Sequence, residues 1–571
     1  MSAVSAVSGS MGVLASESAA IVKSTRGVDT GTRESNFIVA DLNQMANSLR
    51  HESSLLSSEL HRFRLPVAHQ GGTITTTTIL PTRLTLDPAE AQYMALGFLQ
   101  NAVHETLVRF GEGAELVSGL AERWDVLEQG LVYRFALRRE ARFHNGKPVS
   151  AQAVRDSILR LISPETNSPG KWIFRAIEGA AEVIEGKSRT ASGLSVIDEW
   201  TIQMRLNEPL AFFVLLLSMP ESAIVPVDET RDRERFRMNS VGAGPFTVAE
   251  AVENDRVVLK RNPQYWDPER PHIDELRFRL DYKSSKDATN AFLRGDLDIV
   301  HGVPLSMVAN LQHDPLYAPY LLNNVQLHTS YLAWDCSSPP FDRADVRRAI
   351  GLAVDRDAIN RKIYSGLAVT AKSLLPPGVI GYDPSLEPPP HDPERARHLL
   401  RQAGFPTGFS IDYATWDTDE FNNSGVMGLV IEDLAAVGIT VNVSSKPVEE
   451  VRRARNRRGH GTIFAGNWYA DFPDSDNFFY IFFHSESEAV PGINYRSAEI
   501  DAKIAEARRT NDIERRTAIY ADLNQRVIDD APILCLFHER LFVIHSSRVR
   551  SLRTYLVPPP VRYADIWVEG E

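Results

Sequence analysis

From residue 345 onward, amphipathic helical patterns take turns with short strand patterns, and few folds accommodate that alternation. Apolar residues recur at helical spacing over 346–364, 393–403 and 426–437, while 410–414, 440–443 and 462–465 read as short strands. Helices and strands in that order predict an α/β unit built on a mixed sheet. The half before it has a different grain. Residues 73–80 form a Thr/Ile strand, Leu86-Asp87-Pro88 opens a helix to about Leu107, and 131–137 alternates as a half-buried strand does. Asn145-Gly146 supplies a hairpin turn, after which Ser150 caps a helix with Val154, Ile158 and Leu161 on one face. Short strands between Gly/Pro turns fill 201–260, another strand spans 273–280, and the last strands, 533–537 and 541–545, are expected to return the chain to this first half. At 571 residues the chain exceeds what one hydrophobic core spans, so two or more lobes are expected.

A formal charge of −12 offers no basic field to release counterions, which argues against nucleic acid as a general partner. The arginine-rich run 452–458 reads as the solvated face of a helix rather than a phosphate patch. With only Cys336 and Cys535 there is no disulfide framework, and two buried thiols are expected. No apolar stretch reaches the roughly 18 residues a bilayer span needs, and 212–219 reads as a core helix. Residues 1–20 hold no Lys or Arg and are diluted with Ser and Gly, unlike an export signal. Residues 36–63 space Ile38, Leu42, Met45, Leu49, Leu56, Leu60 and Phe63 as a helical arm, before Pro66 and Gly71-Gly72 break the pattern.

The segment richest in chemistry is 467–479, where rings and three carboxylates, Asp471, Asp474 and Asp476, crowd a strand-to-helix loop. Ser475 or Asp476 suits the N-cap of the following apolar helix. That leaves Asp471 without a structural task, flanked by Trp468, Tyr469 and Phe472, an arrangement suited to a ligand with a cationic head and an apolar body. Trp468, Tyr469 and Phe472 are candidate cleft walls, and Trp416, in a polar loop after the 410–414 strand, is a candidate stacking platform. The acids around it, Asp417, Asp419 and Glu420, face solvent or a polycationic ligand, with solvent favoured. His144 in Phe143-His144-Asn145-Gly146 is read as stabilising its hairpin. His391, His398, His460 and His484 lack metal spacing, and no HExxH or CxxC occurs, so neither a metal ion nor a cofactor is expected. Gly242-Ala243-Gly244-Pro245 is a tight turn, not a phosphate cradle. No nucleophile–base constellation is present, so enzymatic activity is not expected.

Trp468-Tyr469-Ala470-Asp471-Phe472 resembles the "W-x-A-D-[YF]" loop of the family 5 solute-binding proteins, which deliver oligopeptides, dipeptides, nickel chelates and opines to ABC transporters. Six further stretches resemble that family in order: Leu120 to Asp125 with Arg142 to Pro148; Val241 to Phe246; Arg261 to Trp266; Gly295 to Asp298; Val346 to Ile350 with Val354-Asp355-Arg356; and Asp392-Pro393 through Ala403-Gly404-Phe405. The likeness runs from about Gly72 to the C-terminus. It implies a two-lobed, periplasmic-binding-protein-like α/β fold with mixed sheets and a hinge. Lobe I would comprise 72–328 and 540–571, with an inserted subdomain at about 110–190; lobe II would comprise 329–539, and 1–71 would be tail and arm. The chain would cross between lobes near 326–331 and 537–543, which puts Tyr331 and Trp334 among the candidate ligand contacts.

The resemblance further implies that Asp471 holds a ligand's α-ammonium. Ala465 stands where peptide binders place an Arg for the ligand's carboxylate, so a short zwitterionic dipeptide is not expected. The implied partners are an amine-bearing or peptide-like solute, an ABC permease and its ATPase subunits. The expected state is a monomer outside the cytoplasm; the alternative is a cytoplasmic ligand sensor on the same fold.

Overall fold

Six strands form the largest sheet, in the order Val369–Thr370, Ile533–His538, His328–Trp334, Thr462–Tyr469, Phe409–Thr415, Ile439–Ser445. The computed structural model describes residues 71–569, apart from 81–82, 92–93, 388–389, 417 and 488. The expectations for the tail, the arm at 36–63 and Asp417 therefore lie outside the described residues. In this sheet Phe409–Thr415 runs parallel to both of its neighbours, while His328–Trp334 is antiparallel to both of its own. The sheet is thus mixed, as the helix–strand alternation predicted. All seven residues of His328–Trp334 are buried, because apolar layers cover both faces: Leu332 and Trp334 join one core, Tyr331 and Ala333 the other.

Two helices stand where one was expected over 346–364: Ala344–Ala353 and Arg356–Ile363. The Asp355 carboxylate accepts from the Ala358 N–H at 2.8 Å, an N-cap that starts a new helix. The expected helix to Leu107 is likewise shorter, a 3₁₀ turn at Pro88–Glu90 and a helix at Met94–Val103. Beyond it the chain is claimed by tertiary pairing, with Gly119 and Leu120 donating backbone N–H groups to Leu107 and Thr106 carbonyls. The core helix expected at 212–219 shrinks to Phe213–Leu216. The strand expected to stop at 465 continues to Tyr469, since Asn467, Trp468 and Tyr469 pair with Ser330, Thr329 and His328. Backbone pairing needs no apolar side chains, so apolarity could not reveal that end.

A four-stranded sheet of Ala121–Leu127, Val132–Leu137, Thr201–Arg205 and Leu194–Asp198 packs with the helix Ala151–Ile162, which Ser150 caps as expected. The last two strands carry this unit past the expected boundary near 190. Another four-stranded sheet joins Thr73–Thr77 parallel to Glu275–Arg279 and then to Arg256–Arg261 and Phe246–Val252. His144 ties the two regions. Its Nδ1 accepts from Gly242 N–H at 3.2 Å and its Nε2 donates to the Gly244 carbonyl at 3.0 Å. Gly242 and Gly244 lie against the Val103 backbone so closely that a Cβ there would come within 2.1 and 2.6 Å of its carbonyl oxygen.

The chain passes twice from the six-stranded sheet into a three-stranded one, from His328–Trp334 back to Leu321–Val325 and from Ile533–His538 on to Arg540–His545. The passages lie side by side, joined by Gln326 N–H to the Glu539 carbonyl at 2.8 Å. Their histidines are buried and neutral: burial lowers His328 to about 3 and His538 to about 4. His328 Nε2 bonds Asn467 Oδ1 at 3.0 Å, and His538 Nδ1 donates to the His328 carbonyl at 3.0 Å. An unfolded imidazole takes up its proton below about pH 6.5 and these folded ones do not, so stability is lost as pH falls through that value. Each contributes a slope of up to about 1.4 kcal/mol per pH unit. Denaturation midpoints of wild type and His328→Gln, compared at pH 7 and 5.5, should show a shallower pH loss in the variant; equal losses would contradict neutral burial.

Cys336 and Cys535 are free, half-buried thiols, less enclosed than expected, and burial pushes both up to about 12.

Candidate functional site

The loop after Thr462–Tyr469 is fixed at both ends. Ala470 N–H continues the ladder to the Leu327 carbonyl at 2.7 Å. Asn477, in the first turn of the helix Asp476–Phe483, then acts as a post: its Oδ1 accepts from Asp471 N–H and from Trp468 Nε1, both at 3.1 Å. The three carboxylates part company here. Asp474 binds the Arg516 guanidinium through two bonds of 2.5 and 2.6 Å, and Asp476 meets Arg508 at 3.0 Å. Asp471 has only the Asn477 amide, 3.4 Å from its Oδ2, and no cation among the described residues. The expected cap is a correction: Ser475 makes no cap bond and donates instead to the Ile380 carbonyl, while Asp476 is engaged by Arg508.

Asp471 is solvent-accessible and opens into a recess of about 490 Å³, whose lining includes Gln100, Met219, Pro220, Glu221, Tyr469 and Pro559. Desolvation by the surrounding walls raises its pKa above the usual carboxylate value, against the Asn477 hydrogen bond. Glu221, across the recess, is pushed up to about 7, chiefly by burial and further by the Asp471 charge. Tyr469 divides this recess from a second cavity of about 550 Å³, lined in part by Gln326, Tyr364, Phe421, Glu539 and Arg540. Its ring is 43% exposed and lies 4.3 Å from that of His328, so Tyr469 is an aromatic wall shared by both spaces. Each volume is in the range of small-molecule pockets.

The other sequence-predicted residues divide. Trp468 is half-buried, edge-on to Phe482 at 6.0 Å, and serves the loop through Asn477. Trp416 is half-buried with the Arg455 guanidinium 5.3 Å from its ring centroid. Three candidates are corrections. Phe472 is buried and stacks on Phe212 at 5.1 Å, a core residue rather than a cleft wall. Trp334 is sealed against Phe341 and donates Nε1–H to the Ala531 carbonyl at 3.2 Å. Tyr331 is buried edge-on to Phe482 and fills the space above Gly466, where a Cβ would come within 2.5 Å of its hydroxyl.

Asp419 is also corrected, since it is buried and accepts from Tyr413 Oη–H at 2.5 Å instead of facing solvent. In the arginine run, Arg452, Arg453, Arg457 and Arg458 are exposed as expected, but Arg455 is half-buried against Trp416 and Phe464. Sequence reasoning missed Arg455 and Glu221. A signal for the first was its position one turn from Val451, the buried residue of the helix Val448–Arg455. Among the described residues, no three His, Cys, Asp or Glu side chains group as metal ligands.

Residues 115–489 match the family model described as "Bacterial extracellular solute-binding proteins, family 5 Middle". A dipeptide-binding protein of Escherichia coli (strain K12) is 28% identical over 477 residues, covering 80% of this chain and 87% of the relative. A glutathione-binding protein GsiB of Pectobacterium atrosepticum is 25% identical, covering 84% and 90%. Among solved structures, the unliganded open form of the periplasmic murein tripeptide binding protein MppA superposes with a TM-score of 0.75 at 22% identity, over 87% of this chain and 98% of that one. The Helicobacter pylori DppA complex with the peptide STSA gives 0.71 at 25% identity, over 88% and 98%. The fold is therefore the two-lobed one of periplasmic binding proteins.

Proposed function

The chain belongs to the family 5 bacterial extracellular solute-binding proteins, and from that membership we propose that it captures a peptide-like, amine-bearing solute between its lobes and hands it to an ABC permease outside the cytoplasm. The observation that carries this reading is Asp471: of the three carboxylates on its loop it is the one without a cation partner among the described residues, and it opens into a walled recess. In this reading lobe I is 72–328 with 540–571, lobe II is 329–539, and closure about the paired passages at Gln326 and Glu539 encloses the ligand. Micromolar affinity needs about 8 kcal/mol, so one charge-assisted bond of about 1.5–3 kcal/mol is an anchor, not the whole interaction. Enclosed surface around Tyr469 supplies the remainder.

Calorimetry of wild type and Asp471→Ala against peptides of several lengths, an opine and a chelated metal tests the proposal. Free-amine peptides should bind wild type and lose about ten- to a hundredfold in affinity with the variant. Equal binding to both proteins would remove Asp471 from the site.

A further inference from the structure

A second, smaller cavity of about 70 Å³ lies in the first lobe, between the helix Met94–Val103 and the segment 558–565. Four charged side chains line it, and three of them are committed. Glu105 accepts from Tyr265 Oη–H at 2.5 Å and from Trp266 Nε1–H at 3.4 Å, and Arg109 lies 3.7 Å from its other oxygen. Asp565 pairs with Arg270 at 2.8 Å and accepts from Tyr555 Oη–H at 2.8 Å. Arg562 is the exception. It is half-buried with its guanidinium 4.5 Å from the centroid of the Tyr555 ring, and it makes no hydrogen bond or ion pair among the described residues. Burial, and then the charge of Arg109, hold its pKa below the usual arginine value. Asn101 lines the cavity from the helix, also half-buried, and its amide likewise has no hydrogen bond among the described residues.

A guanidinium carries five N–H donors, no acceptor and a permanent charge, so holding one partly out of water with no anion opposite it is costly. We propose that this cavity binds a small carboxylate ion, such as formate or acetate, between the Arg562 guanidinium and the Asn101 amide. A planar carboxylate matches the guanidinium fork with two parallel N–H···O bonds and has lone pairs left for an amide N–H. The cavity has room for a few water molecules, enough for such an ion and too little for a peptide. Arg109 and Arg562 balance Glu105 and Asp565 in charge, so a singly charged anion is favoured over a doubly charged one. The site is separate from the recess at Asp471 but shares its walls. Pro558 lines both spaces, and Gly97 and Gln100, on the helix that carries Asn101, line the recess. A bound carboxylate therefore braces the helix against the C-terminal segment.

Carbon-13 NMR of labelled formate, titrated into the full chain at constant ionic strength, tests the site directly. Wild type should broaden the formate line saturably, and unlabelled acetate should reverse the broadening. Arg562→Gln should weaken formate binding by more than tenfold, and Asn101→Leu, which leaves the cation in place, by about threefold to tenfold. Formate should also raise the denaturation midpoint of wild type and not that of Arg562→Gln. In carboxylate-free buffer Arg562→Gln should be at least as stable as wild type, because it removes a cation with no partner; a residue with a purely structural role would instead destabilise the fold when replaced. No saturable broadening by wild type would overturn the site, as would equal formate affinity in wild type and Arg562→Gln. Unchanged affinity in Asn101→Leu would overturn the two-sided arrangement even if Arg562→Gln did not fold. Sulfate that displaced labelled formate as well as acetate does would overturn the preference for a carboxylate.

Discussion

Replacing Asp474 by alanine should cost about 3–5 kcal/mol of stability, read as a lower midpoint in chemical denaturation. Asp474 and Arg516 are 3% and 5% exposed, and the guanidinium donates to both carboxylate oxygens and, through Nε, to the Ala507 carbonyl at 3.0 Å. Removing the acid leaves a cation buried among Phe212 and Tyr520, with no carboxylate bonded to it and only the charge of Asp476, already paired with Arg508, nearby. The size of the loss comes from that stranded charge, not from the worth of the pair, so the double variant Asp474→Leu, Arg516→Leu should recover most of it. A single variant within about 1 kcal/mol of wild type would show that water reaches the pair.

Truncating Phe472 to alanine should cost a comparable 3–5 kcal/mol. The ring is 2% exposed, lies nearly parallel to Phe212, and belongs to the core built around the four-stranded sheet of Val132–Leu137, although its backbone follows the six-stranded one. It therefore fastens the loop that presents Asp471 to a different core. Phe472→Ala should lower the denaturation midpoint and also weaken amine binding, because Asp471 is its immediate neighbour; Phe472→Leu should restore most of both. A variant that loses stability but keeps full affinity would show that Asn477 alone orients the loop.

Those two residues illustrate what could be read before any coordinates. Helices and strands with strong periodicity were legible, as was Ser150 as a cap; His144 was legible as structural, although its ring ties the hairpin to the Gly242–Gly244 turn instead of bonding within it. Asp471 was singled out as the acid of its loop without a partner, but for an incomplete reason: it was set apart by elimination, on a cap at Ser475 that the structure does not make. What sets it apart is that Arg516 and Arg508, more than 30 residues downstream, claim the other two acids. Partners at that separation leave no local trace. Tyr331 and Trp334 failed as ligand contacts because apolar layers cover both faces of their strand, so alternation puts neither residue in the cleft. Glu221 was invisible for the same reason as Arg516, since its significance lies in facing a residue 250 positions away.

The central claim is that the Asp471 carboxylate receives a ligand's positive terminus. Its most direct test is a thermodynamic cycle: trialanine and N-acetyl-trialanine, each titrated into wild type and Asp471→Ala. If ammonium and carboxylate meet, acetylation and the substitution each weaken binding by tenfold or more, and the two together cost little beyond either alone. Losses that simply add, or an acetylated peptide that binds wild type as tightly as the free amine, would contradict it.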